Sequence, residues 1–145
     1  MSKADEIIAR LKSLAEEVPI PKSLPSEDQV LEIEKSLGLN FHDDFKKYLL
    51  AASNVVFGIK EPVQITNLEA HDSLTEVIEN SKAYELPQDV LPICHDNADF
   101  YCLTSTGEVL FWSHDISNYT EEKWSNIWEW IEQVWINEYL EGESE

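Results

Sequence analysis

Apolar residues recur every three or four positions through residues 3–18, where Ile7, Leu11, Leu14 and Val18 form one stripe among Lys and Glu. That is the period of an amphipathic helix, and Pro19 and Pro21 end it in a short linker. Ser26, three residues before Gln29, has capping-box spacing and opens a second helix with the stripe Val30, Ile33 and Leu37, ended by Gly38. Asp43 or Asp44 starts a third helix, with Phe45, Tyr48, Leu49 and Ala52 inward. Val55, Val56 and Phe57 read as a short buried strand, and residues 62–66 are a candidate for another. Residues 73–84 form a fourth helix, with Leu74, Val77 and Ile78 inward and Ser73 placed to cap at Glu76.

The period changes to two over residues 91–115, LPICHDNADFYCLTSTGEVLFWSHD. Three strands are expected, residues 91–95, 100–103 and 108–112, with polar turns at 96–99 and 104–107. A last helix is expected over residues 120–139, with Trp124, Trp128 and Trp135 on its apolar stripe, Trp130 off it, and Glu121 and Glu122 in its first turn. Helices before and after a meander, with no βαβ alternation, make the class α+β: a central, largely antiparallel sheet covered by helices. One domain spans 1–145: an N-terminal helix and linker to residue 22, a core over 23–140, and an acidic tail at 141–145.

Hairpin loops at 97–99 and 105–106 set Cys94 opposite Cys102, His95 opposite Tyr101, Tyr101 opposite Leu110 and Cys102 opposite Val109. Cys94, Phe100, Cys102, Val109 and Phe111 then share a core face. Ile93, His95, Tyr101, Leu103, Glu108, Leu110, Trp112 and His114 share the other. The second face is either a recognition surface or a face covered by the tail helix, and a one-residue slip exchanges the two faces. The register requires Trp112 to be more exposed than Phe111.

The balance of 29 Asp plus Glu against 10 Lys plus Arg, a net charge of −19, opposes binding to nucleic acid or anionic lipid. It favours a cationic protein partner. The charged N-terminus lacks a signal-peptide core, no apolar run is long enough to span a bilayer, and two cysteines make no disulfide scaffold. The expected location is cytoplasmic.

His95, Asp96, Asp99, His114 and Asp115, and separately His42, Asp43 and Asp44, have metal-ligand chemistry. His95 and His114 fall on the two outer strands of the expected meander, about 10 Å apart, and no zinc or calcium motif is present, so turn chemistry accounts for these residues. Cys94 and Cys102 read as buried thiols. No nucleophile elbow and no Gly-rich phosphate loop occur, leaving no catalytic residue and no cofactor to assign.

The order of pieces resembles the SUKH superfamily. The likeness runs through Leu24-Pro25-Ser26-Glu27, the Leu37-Gly38-Leu39 turn, Asp43-Asp44-Phe45-Lys46-Lys47-Tyr48-Leu49-Leu50, Leu91-Pro92-Ile93, Phe100-Tyr101-Cys102-Leu103, Thr106-Gly107-Glu108-Val109, Phe111-Trp112-Ser113-His114-Asp115 and the Trp-bearing tail, covering residues 24–140. It implies an α+β fold, no catalytic residues and function through protein binding. In members encoded beside secreted toxins, many of them nucleases, it implies neutralisation of the toxin inside the producing cell. The expectation is an immunity protein that blocks a basic toxin domain. Asp96, Asp99, Glu108 and Asp115 would act as phosphate mimics, with Tyr101, Leu110 and Trp112 as apolar centre and His114 beside them. The alternatives are a cytosolic regulator or scaffold without a toxin partner, and a small metal-binding enzyme.

Overall fold

The meander forms with one strand more than its pattern predicts. The computed structural model describes residues 2–17, 23–58, 60–87, 89–96 and 98–143. Val18, Pro19, Pro21 and Asn97, on which the expected helix end, linker and turn rest, lie outside them, as do Ser144 and Glu145 of the expected tail. In chain order the helices are α1 (Lys3–Leu14), α2 (Glu27–Leu37), α3 (Asp43–Ala52) and α4 (Leu74–Ala83). Strands β1 (Leu91–Asp96), β2 (Asp99–Leu103), β3 (Val109–Ser113) and β4 (Asn118–Trp124) follow, then α5 (Ile127–Trp130), a π-helical segment (Ile131–Ile136) and α6 (Asn137–Glu143). The sheet is antiparallel in the order β1-β2-β3-β4, and the architecture is α+β.

Local signals settle α2. Ser26 Oγ accepts the Gln29 N–H while the Gln29 side chain accepts the Ser26 N–H, and Gly38 ends the helix in the left-handed region at φ 67°. Helix α1 stops at Leu14, short of the expected residue 18, because the next backbone bonds to a distant loop. Glu16 N–H donates to the Val56 carbonyl (2.7 Å), and the Glu16 carboxylate accepts the Gly58 N–H (2.8 Å). Residues 55–57 therefore form no strand, although Val55 and Phe57 are buried. Residues 62–66 contribute only an isolated bridge, Gln64 to Ser73, beside a bulge in β1 whose Ile93 carbonyl accepts the Val63 N–H (2.9 Å).

The expected register is wrong by one residue on each side of β2. Cys94 faces Tyr101, His95 faces Phe100 and Asp96 faces Asp99. Tyr101 faces Phe111, Phe100 faces Trp112 and Leu103 faces Val109. The second loop is longer because Thr104 pairs with Glu108 (2.9 Å) and Gly107 takes φ 95° between them. A Cβ at Gly107 would stand 2.7 Å from His42 Nε2, so both conformation and space demand glycine.

The slip regroups the faces. Phe100, Cys102, Leu110 and Trp112 share one, and Cys94, Tyr101, Leu103, Val109 and Phe111 share the other. Trp112 is 3% exposed and Phe111 is half-buried, the reverse of what the expected register required. Both faces are covered. Tyr84, capping α4, lies 5.9 Å from the Phe100 ring, and Trp130 of the last helix lies 5.2 Å from the Tyr101 ring. The two free cysteines are buried on opposite faces, and burial pushes both thiols up to about 12.

The tail divides differently too. Residues 118–124, with Glu121 and Glu122, pair with β3 as a strand, and the helix begins at Asn126, whose side chain accepts the Glu129 N–H (2.9 Å). The π segment then changes the helical phase. With that change of phase Trp130, Ile131, Trp135 and Ile136 are all buried, and Trp130 is fully buried rather than off the stripe. Trp128 reaches the other way and donates its indole N–H to Asp44 of α3 (3.1 Å).

Candidate functional site at the acidic end of the sheet

Asp96, the last residue of β1, and Asp99, the first of β2, face each other at the end of the ladder. The β3–β4 turn ends beside them. Asp99 Oδ1 accepts both the backbone N–H of His114 (2.9 Å) and its ring Nδ1–H (2.7 Å), and His114 Nε2 lies 3.3 Å from Asp115 Oδ1. Asp96, His114 and Asp115 are exposed. The Tyr84 ring stands 6.4 Å from His114 and is 42% exposed, and Ile116, in the same turn as Asp115, is 60% exposed. Between the end of α4 and the sheet runs a cleft of 260 Å³ lined by Asn80, Ala83, Tyr84, His95 and Phe100. His71 approaches His95 at 6.5 Å between ring centres and is itself paired with Glu61.

Of the residues expected to bind a partner, the fold brings together Asp96, Asp99, His114 and Asp115. Glu108 lies at the opposite end of β2, in the turn with Thr106. Leu110 is half-buried, while Tyr101 (6% exposed) and Trp112 (3% exposed) are buried on opposite faces of the sheet. An apolar docking centre built from Tyr101, Leu110 and Trp112 therefore does not exist. The exposed apolar groups beside the carboxylates are Tyr84 and Ile116. Sequence reasoning passed over both, and the available signal was a large apolar residue off any helical stripe or strand alternation.

The His114 ring is flanked by Asp99, Asp115 and Tyr84, two carboxylates and a phenol. No group of three or more His, Cys, Asp or Glu among the described residues is arranged to hold a metal ion. Nor is any helix among them long and apolar enough to cross a membrane.

The hydrogen bond to Asp99, aided by the charge of Asp115, raises the His114 pKa above its ordinary 6.5, against a smaller effect of desolvation. Folding thus favours the protonated ring. Its contribution to stability is complete below the unfolded pKa and is lost as pH rises through the higher folded value. NMR titration should place the His114 midpoint above that of an ordinary histidine, and Asp99→Asn should lower it. An unshifted midpoint in the unmodified chain would show that the pair does not persist in solution.

Residues 4–136 match the SUKH_5 family, SMI1-KNR4 cell-wall. No curated protein matches the chain. A crystal structure of a protein from Pseudomonas syringae pv. tomato is 41% identical and superposes with a TM-score of 0.87, covering 92% of this chain and 98% of that one.

Proposed function

Since the chain belongs to the SUKH superfamily through its SMI1-KNR4 cell-wall family, we propose that it is a non-catalytic binding domain, an immunity protein that occludes a basic toxin domain with the acidic end of its sheet. One observation carries the reading: Asp96, Asp99 and Asp115 converge from two turns, with exposed Tyr84 and Ile116 beside them. Carboxylates spaced along a rigid sheet end can stand in for phosphates against a cationic cleft, and a net charge of −19 speeds encounter with it. His114 holds the Asp99 carboxylate in place, so its orientation is set before binding. Tyr84 and Ile116 supply the apolar contact that charge alone lacks. Such a protein acts in the cytoplasm of the cell that makes the toxin. In the second reading the same surface serves a regulator without a toxin partner, and the presence or absence of an adjacent toxin gene separates the two.

The test begins with co-purification of the partner from the native cell, followed by binding kinetics across a salt series. Reversing charge in Asp96→Lys/Asp115→Lys should weaken binding by about tenfold or more, chiefly through the on-rate, and flatten the salt dependence. Glu108→Lys, at the far end of the strand, should change it by less than about threefold. A large effect at Glu108 with none at Asp96 and Asp115 would move the interface to the other end of the sheet.

A further inference from the structure

A second cleft, of 280 Å³, opens between the loop after α3 and the end of the last helix, remote in sequence from the acidic turns. Its wall is aromatic: Phe57 is stacked on Trp135 (ring centres 4.6 Å apart, 8° between planes), with Tyr139 at 4.9 Å from Phe57. The π segment sets Trp135 into this wall, and such widened turns inside helices recur at binding sites. Gly58 keeps the space open. It has φ 64°, and a Cβ there would meet Tyr139 Cδ1 at 2.9 Å.

The polar groups are few and lopsided. The Lys60 side chain is 13% exposed and its ammonium lies 2.6 Å from Glu138 Oε2, while the Glu138 side chain is 53% exposed. Lys60 also sits 5.9 Å from the centre of the Tyr101 ring. The Lys60 ammonium, largely shielded from water, gains from an adjacent anion, whereas the exposed carboxylate that serves it can return to water at little cost. An ion pair in an apolar cleft, just below the usual range of ligand-pocket volumes, has the features of a site for a small ligand.

We infer that this cleft binds a small aromatic monocarboxylate, whose carboxylate takes the place of Glu138 on Lys60 while its ring lies against Tyr139 and the Phe57–Trp135 edge. The anion is a carboxylate because that is the group the cleft already holds. One lysine in so acidic a protein is too little charge for a doubly charged phosphate. Glu138 then acts as an internal competitor, which makes the inference sharp: removing it must strengthen binding.

Phenylacetate, phenylacetamide and phenethylamine serve as probes, with amide chemical shifts of the ¹⁵N-labelled full chain as the readout. Phenylacetate should shift signals of residues 57–60 and 135–142 at millimolar concentration, and the neutral amide and the amine should bind at least about tenfold more weakly. Glu138→Gln should bind phenylacetate about tenfold more tightly than the unmodified chain, and Lys60→Met should lose it. Equal binding of acid and amide, preference for the amine, or no gain in Glu138→Gln would each overturn the inference. The acid–amide comparison needs no variant, so it stands even where Lys60→Met fails to fold.

Discussion

Replacing Trp130 with alanine is expected to lower the free energy of unfolding by about 3–5 kcal/mol, the range for deleting a large aromatic side chain from a packed core. Trp130 is fully buried at the start of the π segment, and its ring lies against Tyr101 of the central strand β2. It joins the last helix to the sheet at the point where the helix changes phase. Its indole N–H has no acceptor among the described residues, so the loss is one of packing rather than hydrogen bonding. Two companions sharpen the test. Trp130→Phe removes the unmet donor and keeps an aromatic ring, and should retain more than half of the lost stability. Trp124→Ala, half-buried on β4 with its ring 5.8 Å from Tyr101, should cost about 1–2 kcal/mol. Urea unfolding followed by far-ultraviolet circular dichroism avoids the fluorescence change caused by the substitutions. A loss for Trp130→Ala no larger than for Trp124→Ala would show that this tryptophan does not anchor the helix.

Gln64→Leu is expected to cost about 2–4 kcal/mol, although leucine is close in size and better suited to a buried position. Gln64 is 1% exposed and ties the loop before α4 to itself. Its Nε2 donates to the Asn67 carbonyl (2.8 Å) and to Asp72 Oδ1 (3.0 Å), and its Oε1 accepts the N–H groups of Thr66 and Asn67, both at 2.8 Å. Leucine would remove the side-chain acceptor of the Thr66 and Asn67 N–H groups and one donor each from the Asn67 carbonyl and Asp72 Oδ1, and a buried group left unmet costs about 1–3 kcal/mol. Hydrogen exchange at the Thr66 and Asn67 amides should accelerate in the variant ahead of the rest of the chain. A change in unfolding free energy below about 1 kcal/mol would mean that water replaces these bonds freely.

Much of the helical framework could be read from spacing, because capping and periodicity are local. Ser26 with Gln29, Gly38, and the stripe Phe45, Tyr48, Leu49 and Ala52 behave as their positions predict. The start of the last helix was misplaced although its signal was present: Asn126 stands three residues before Glu129, the same capping spacing. The apparent helical period of Trp124, Trp128 and Trp135 masked it, because Trp124 belongs to a strand. In the candidate site, the gathering of Asp96, Asp99, His114 and Asp115 followed from the meander itself. The exclusion of Tyr101, Trp112 and Glu108, and the presence of Tyr84, did not.

The sequence by itself determined the α+β class, the meander, the family likeness and the acidic surface, since these rest on local period, residue order and composition. Only the tertiary structure decided the register, the fourth strand, the phase of the last helix and the burial of both sheet faces. The reason is that these features depend on distant partners. The second hairpin loop turns at Gly107, with φ 95° and the His42 side chain packed beside it, and α1 ends where Glu16 bonds to Val56 and Gly58. Tyr101 is buried because Trp130 lies over it. A one-residue slip costs nothing in hydrophobic period when both faces are apolar, so the pattern alone could not choose between them.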